Sequence, residues 1–360
     1  AVGYGSLGMV RILLRAGASP LRQRAIPNIK GQDRHESAGG IPVRGTPLMY
    51  AVLLGRYEIV QSILNYERKI GSSEAVVNYV DTDGTTLVHA AAGMTGPSRQ
   101  GDVYDDILSL LISFGCDSRR IQSSSGKTAL HFAALGGSTR AVKLLLRSVD
   151  DATLQTWVNI KDDAGYTALH YAVSTVVAGD VEENSAAVEC ISEIIRAGGN
   201  VDARVEQIGG LQGATALYLA ASGVNAHFTT VAVRALLKAG ADPDVTLEDS
   251  AKGFTPLLAA IDRSNSAVVE ALLFDGHADP NKGVAQSTSL TQSPILFAVV
   301  KGSTPVVDFL LQSGATCDIR IMHPSSDNPL SLIGLARIRR DYDMLQLLMA
   351  SSNCTEDVEV

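Results

Sequence analysis

The sequence predicts an all-α fold, a solenoid of stacked helix-turn-helix units with short hairpin connections, and three observations predict it. A motif recurs in phase: G-K-T-A-L-H-F-A-A from Gly126, G-Y-T-A-L-H-Y-A-V from Gly165, G-A-T-A-L-Y-L-A-A from Gly213 and G-F-T-P-L-L-A-A-I from Gly253. Weaker copies stand at Thr46, Thr86, Ser293 and Asn328. Each copy is followed by a second apolar stretch that closes on glycine, as in L-L-R-A-G-A-S-P, L-L-K-A-G-A-D-P-D and L-L-Q-S-G-A-T-C-D. The two halves alternate along nearly all 360 residues. A self-similar unit of this size decides the architecture before any residue is read for chemistry.

Within one unit, Thr or Ser before Pro or Ala starts the first helix, because the hydroxyl caps orphan N–H groups and Pro suits the first turn. A small pair such as Ala133 and Ala134 lets the neighbouring helix approach closely. In the second helix Val142, Leu144, Leu145 and Leu146, like Val268, Val269, Leu272 and Leu273, form an apolar stripe at helical spacing. Gly240, Gly276 and Gly314 are expected to end that helix in a left-handed C-cap. No unit can bury both apolar faces alone, so each needs neighbours.

Along the chain, Ala1 and Val2 fall where the Ala pair of a first helix belongs, and Met9 to Ala18 supply a second helix and its end. The chain therefore opens inside a unit, as an excerpt from a longer protein would. Further units are expected near 46, 86, 128, 167, 215, 255, 293 and 328, in a single array over 1–350 with a tail at 351–360. The spacings are 40, 42, 39, 48, 40, 38 and 35. The surplus over a compact unit is expected in loops at Leu21–Arg44, Asn65–Tyr79, Gly93–Asp105, Ser174–Glu189 and Arg204–Gln212.

The pairing of T-P-L-H-x-A-A-like segments with a later L-L-x-x-G-A-D-x-N resembles the ankyrin repeat, and the resemblance covers nearly the whole chain. Many copies in phase, each with both halves, make it specific. It implies a hairpin and two antiparallel helices per unit of about 33 residues, side-by-side stacking, and a concave face that binds other proteins. It also places the variable contact positions at Arg44, Leu53 and Leu54, at Asp83 and Thr85, at Ser125 and Lys127, at Ala164 and Tyr166, and at Lys252, Phe254, Asp262 and Arg263. Tyr, Phe and Arg are types that make interface hot spots. The recurring His89, His131 and His170 are, by the same resemblance, structural residues that bond backbone between adjacent hairpins. The function implied is a non-enzymatic protein-interaction scaffold acting through its concave face and hairpin tips. Two alternatives are the regulatory array of a larger enzyme or channel and a structural subunit of a large assembly.

Composition narrows the partners. A net charge of −8 gives no support to nucleic-acid binding, which shows as a basic face. No apolar run approaches the roughly 18 residues of a membrane span. The four cysteines lack metal-site spacing and fit a reduced intracellular protein, cytoplasmic or nuclear. Motifs that resemble chemical sites have other readings. Gly3-Tyr4-Gly5-Ser6-Leu7-Gly8 spells a dinucleotide fingerprint, but falls where a turn between two helices belongs. Ser125-Gly126-Lys127-Thr128 resembles the end of a phosphate-binding loop, but has Ile121 where that loop needs glycine. No catalytic, cofactor-binding or metal-ligating residue is therefore assigned.

Overall fold

The computed structural model describes residues 2, 6–21, 24–25, 44–96, 101–178, 181–206, 211–223, 226–247, 254–283, 293–319, 330–351 and 354. The chain divides into two compact units, Ala1–Asp163 and Ala164–Val360.

In the first unit, α1 (Leu7–Arg15) precedes a two-stranded hairpin of β1 (Arg24–Ala25) and β2 (Arg44–Gly45), antiparallel with Arg24 opposite Gly45. Three helix pairs follow: α2 (Pro47–Leu53) with α3 (Tyr57–Lys69), α5 (Leu87–Gly93) with α6 (Gly101–Phe114), and α7 (Ala129–Gly136) with α8 (Thr139–Arg147). Short helices α4 (Ser73–Val77) and α9 (Asp151–Val158) follow the first and third pairs. The first helices pack in the order α2, α5, α7 and the second helices in the order α1, α3, α6, α8. Leu48, Ile63, Leu64, Leu87, Ile107, Leu108, Leu111, Leu130 and Leu145 fill the space between the rows.

The second unit holds five pairs: α10 (Ala168–Ala178) with α11 (Val181–Arg196), α12 (Ala216–Ala221) with α13 (Ala226–Lys238), α14 (Pro256–Asp262) with α15 (Ser266–Glu270), α16 (Pro294–Lys301) with α17 (Thr304–Gln312), and α18 (Leu332–Arg339) with α19 (Tyr342–Ala350). Again the first helices form one row and the second helices another. Leu169, Ile191, Ile194, Leu217, Leu236, Leu272, Leu310 and Leu348 are buried between them.

The helix starts follow the expected chemistry. Thr46 Oγ1 accepts from the Met49 N–H at 3.1 Å, and Thr255 Oγ1 from the Leu258 N–H at 3.2 Å. Gly240 takes φ 90° at the end of α13, and Gly126 takes φ 70° at a hairpin tip. A Cβ on Gly126 would stand 2.8 Å from the Asp163 backbone nitrogen, so this tip demands glycine for space as well as for φ. Side-chain oxygens link successive hairpins in the second unit. Asp202 Oδ1 accepts from the Asp242 N–H at 2.9 Å, Asp244 Oδ1 from the Asp279 N–H at 3.1 Å, and Asn281 Oδ1 from the Thr316 N–H at 2.8 Å.

Four expectations are corrected. The surplus residues at Asn65–Tyr79 and Ser174–Glu189 are largely helical: α3 runs to Lys69 and α4 follows, while α10 and α11 extend through most of the other. Val76, Val176 and Ala187 are buried there, so the added turns continue apolar packing instead of looping into solvent. Gly93–Asp105 likewise yields to α6 from Gly101. Most of Leu21–Arg44 and residues 207–210 lie outside the described residues, as do Ala1, Gly3, Tyr4 and Gly5.

Second, the last unit begins at Ser331, three residues after the expected Asn328. Ser331 Oγ accepts from the Gly334 N–H at 3.1 Å, and Leu332, Ile333, Leu335 and Ala336 are buried behind it. Its distance from Ser293 becomes 38, equal to the preceding spacing. The N-P-L at Asn328 mimics the motif, but a start there would turn the apolar face away from the core.

Third, Gly276 is not left-handed. Its φ is −94°, and His277 takes φ 54° in its place. L-L-F-D-G-H-A-D-P carries one residue more than L-L-K-A-G-A-D-P, and the helix absorbs it as a π turn over Ala271–Asp275. The closing bond shows the same shift: Ala278 N–H reaches Leu272 O, six residues back, where Ala241 N–H reaches Leu236 O, five back. Single-turn π bulges are the usual way a helix takes in an extra residue.

Fourth, the cysteines are not all reduced. Cys317 and Cys354 are disulfide-bonded, which ties the segment after α19 to the segment after α17. Cys116 and Cys190 are buried and stand outside that disulfide, and burial pushes the Cys116 thiol up to about 12. The intracellular placement expected from reduced cysteines loses that support.

Candidate partner-binding surface

The residues that look most like chemistry are occupied by the fold. The Thr86 N–H donates to His89 Nδ1 at 3.2 Å while the His89 N–H donates to Thr86 Oγ1 at 3.2 Å. The Thr128 N–H reaches His131 Nδ1 at 3.0 Å and the Thr167 N–H reaches His170 Nδ1 at 3.1 Å. The expected backbone bond between hairpins is thus first a bond to the cap of the histidine's own helix, the threonine–histidine form of a capping box. Burial lowers His89 to about 4, although the carbonyls of Arg120 and Lys127 and the charge of Asp81 pull the other way. Such a ring stays neutral and is a poor acid or base at neutral pH. Thr128, the hydroxyl of the phosphate-loop look-alike, is buried against His131, with 2.8 Å between Oγ1 and Nδ1.

The hairpin tips of the first unit are tied to one another. Gln122 Nε2 donates to Thr85 Oγ1 at 2.7 Å, Ser125 Oγ donates to Gln122 Oε1 at 2.6 Å, and the Ser124 N–H reaches Asp83 O at 3.2 Å. Three of the polar contact candidates, Asp83, Thr85 and Ser125, therefore hold the repeats together. Lys127 is half-buried, with its ammonium 6.0 Å from the centre of the Phe132 ring. Leu53 and Leu54 end α2; the Leu53 carbonyl accepts from Tyr104 Oη at 3.1 Å. Arg44 contributes backbone to β2, and its side chain lies outside the described residues.

In the second unit Tyr166 is half-buried, its ring set edge-on to His170 at 5.8 Å and tilted against Tyr171 at 5.7 Å. Phe254 is half-buried and its carbonyl accepts from the Leu247 N–H at 3.3 Å. Arg263 is exposed at the end of α14. Lys252 lies outside the described residues. The structure thus keeps Leu54 and Arg263 as open surface and gives Tyr166 and Phe254 a share in packing the hairpins.

Sequence reasoning missed residues at the same repeat position as Leu53 and Leu54, seven and eight after the helix-starting Thr or Ser. These include Leu135 at 47% exposure, Val300 at 40% and Ile338 at 42%, against 37% for Leu54. Lys301 and Arg339 stand beside the last two. Applying the position to every repeat would have found all but the last pair, which the misplaced start at Asn328 hid. Among the described residues no cluster of His, Cys, Asp and Glu could hold a metal ion, and no helix is long and apolar enough to cross a membrane.

Comparison with known proteins agrees with this geometry. The family model described as Ankyrin repeats (3 copies) matches residues 97–183 and 181–284. The chain is 32% identical over 198 residues to the probable E3 ubiquitin-protein ligase XBOS33 of Oryza sativa subsp. japonica, covering 54% of this chain and 31% of that protein. It is 32% identical over 203 residues to the nuclear factor NF-kappa-B p105 subunit of Gallus gallus, covering 56% and 17%. It is 27% identical over 334 residues to the E3 ubiquitin-protein ligase KEG of Arabidopsis thaliana, covering 84% and 19%. The chain therefore spans less than a third of the length of each of these relatives. The crystal structure of the ankyrin repeat domain of Bcl-3 matches with a TM-score of 0.53 and 23% identity, over 74% of this chain and 97% of that one, a likeness of fold.

Proposed function

The chain belongs to the ankyrin repeat family, and from that premise we propose that it is a non-enzymatic protein-interaction module whose contact surface is the hairpin tips and the ends of the first helices. The observations that support this reading are exposed Leu, Val and Ile seven residues after the helix-starting Thr or Ser, in Leu135 of the first unit and in Val300 and Ile338 of the second, with exposed Leu54 one position later in its own repeat. A single exposed leucine means nothing, but one that returns in register is surface that packing does not require. Arg44, Tyr166, Lys252, Phe254 and Arg263 extend the proposed surface, as does Lys127.

The test is isothermal titration of a partner protein recovered by pull-down against the parent chain and against a variant with Leu54, Leu135, Val300 and Ile338 all changed to Ala. We expect affinity to fall at least tenfold with melting nearly unchanged. Equal affinity in the two chains would sink the reading.

A second reading has its own support. The chain matches only part of relatives named as ubiquitin ligases. In that reading it is the substrate- or partner-selecting array of a larger protein, and its binding surface is the same.

A further inference from the structure

The second unit carries a row of cations that the repeat itself does not need. Arg263, Lys301 and Arg339 each stand eight residues after the Thr or Ser that starts its helix, at Thr255, Ser293 and Ser331. They are 38 residues apart in both intervals. The matching positions of earlier repeats hold Leu54, Met94, Gly136, Thr175 and Gly223, so the cations are confined to three consecutive repeats.

The structure brings the three into one line. α14 packs on α16, and α16 on α18. Lys301 Nζ reaches back to Asp262 Oδ1 at 2.9 Å and to Asp262 O at 3.1 Å, beside Arg263. Arg339 Nη1 donates to Val300 O at 2.5 Å, beside Lys301. Each side chain keeps unused donors, since an ammonium has three N–H groups and a guanidinium five. Arg263 makes no ion pair among the described residues. Apolar surface runs along the row: Val300 and Ile338 are exposed, and Phe297 lies half-buried 5.3 Å beneath the Lys301 ammonium.

Packed helices stand about 8–10 Å apart. An extended polyproline-type strand rises about 3.1 Å per residue with three residues per turn, so every third side chain returns to one face after about 9 Å. The two periods coincide. We propose that the Arg263–Lys301–Arg339 row binds an extended acidic peptide whose carboxylates recur at every third residue, with the intervening apolar residues resting on Val300 and Ile338. This deepens the interaction reading above and rests on it. Lys301 offsets the charge of Asp262, so the row keeps a net charge of about +2, carried by Arg263 and Arg339, while the remaining Lys301 N–H donates a hydrogen bond to the middle carboxylate. A peptide is favoured over nucleic acid because single-stranded nucleic acid is held by bases stacked on exposed aromatic rings, whereas the exposed residues along this row are the aliphatic Val300 and Ile338.

The probe is a fluorescent nonapeptide, (Glu-Pro-Pro)3, titrated by anisotropy at low and high salt. Controls are a peptide of the same composition with its three Glu adjacent, a Lys-for-Glu peptide and a single-stranded RNA of similar length. We expect the repeating peptide to bind at least tenfold more tightly than the clustered one, to weaken with salt, and to lose at least tenfold in affinity to Arg263→Glu. Arg263→Glu breaks no bond of the fold, and unchanged circular dichroism and melting verify this. Equal binding of both peptides, tighter binding of the RNA, no binding of any probe, or indifference to Arg263→Glu each overturns the proposal. Failure here leaves the broader reading standing if a protein partner still binds the parent chain and is lost on changing Leu54, Leu135, Val300 and Ile338. The broader reading fails separately if that partner ignores those four.

Discussion

Thr86 and His89 close on each other, each backbone N–H donating to the other's side chain at 3.2 Å. The pair works only while Nδ1 keeps its lone pair, so the cap of α5 depends on a neutral ring.

A pH dependence follows. His89 is lowered to about 4 by burial, from an ordinary value of 6.5. A histidine depressed in the folded state is protonated first in the unfolded chain, so its contribution is complete above pH 6.5 and is lost as pH falls from there towards 4. Between pH 7.5 and 5 we expect the His89 site to remove about 2 kcal/mol of stability. His89→Gln retains an acceptor for the Thr86 N–H without the charge. Urea titrations at the two pH values should show a smaller acid loss for the variant; an identical loss would refute the assignment.

Leu145 and Leu272 are both fully buried between helix rows. Leu→Ala at either should cost about 2–5 kcal/mol through lost transfer energy and a residual cavity. A denaturation midpoint that does not move would contradict the helix phase described.

His277 is the residue for which α15 unwinds into a π turn, and it sits at φ 54° without being glycine. Deleting it leaves L-L-F-D-G-A-D-P-N, which has the spacing of the regular end of α13. The deletion variant should melt at or above the parent temperature, with gain from a released left-handed residue worth about 1–2 kcal/mol. A clear loss on calorimetry would mean that the π turn is required by its neighbours, the Phe274–Phe309 edge contact among them.

The Cys317–Cys354 bond closes a loop of 37 residues around the last repeat. That repeat has a neighbour on one side only among the described residues, so it depends most on such a staple. Reduction should cost about 2–4 kcal/mol, confined to α18 and α19 as faster amide exchange. Uniformly unchanged exchange after reduction would remove the role.

The repeat was legible because its signals are local and redundant: a hydroxyl before Pro or Ala, an apolar stripe, and a glycine. Thr46, Thr255 and Gly240 do what their neighbourhood in sequence dictates. Ser331 was harder, because N-P-L imitates the motif three residues early and only burial of Leu332 and Ile333 decides between them. The π turn could have been seen as one residue too many before A-D-P. The disulfide could not, since a separation of 37 residues carries no spacing signal. At the proposed surface, Leu54 and Arg263 are exposed as their repeat positions led one to expect, while the packing share of Tyr166 needed its distances to His170 and Tyr171.

The three oxygen links between hairpins of the second unit share a direction. Asp202, Asp244 and Asn281 accept, and Asp242, Asp279 and Thr316 donate, so the acceptor always belongs to the earlier repeat. A chain leaving the ribosome N-terminus first would present each acceptor, already fixed in a finished hairpin, before its donor is made. Assembly during synthesis then needs no later repeat to wait for its partner, and domains do fold in that order as they are made. The same links give the array a grain: removing repeats from the C-terminal end frees side-chain oxygens, whereas removing them from the N-terminal end frees backbone N–H groups, in both cases at exposed positions that water reaches.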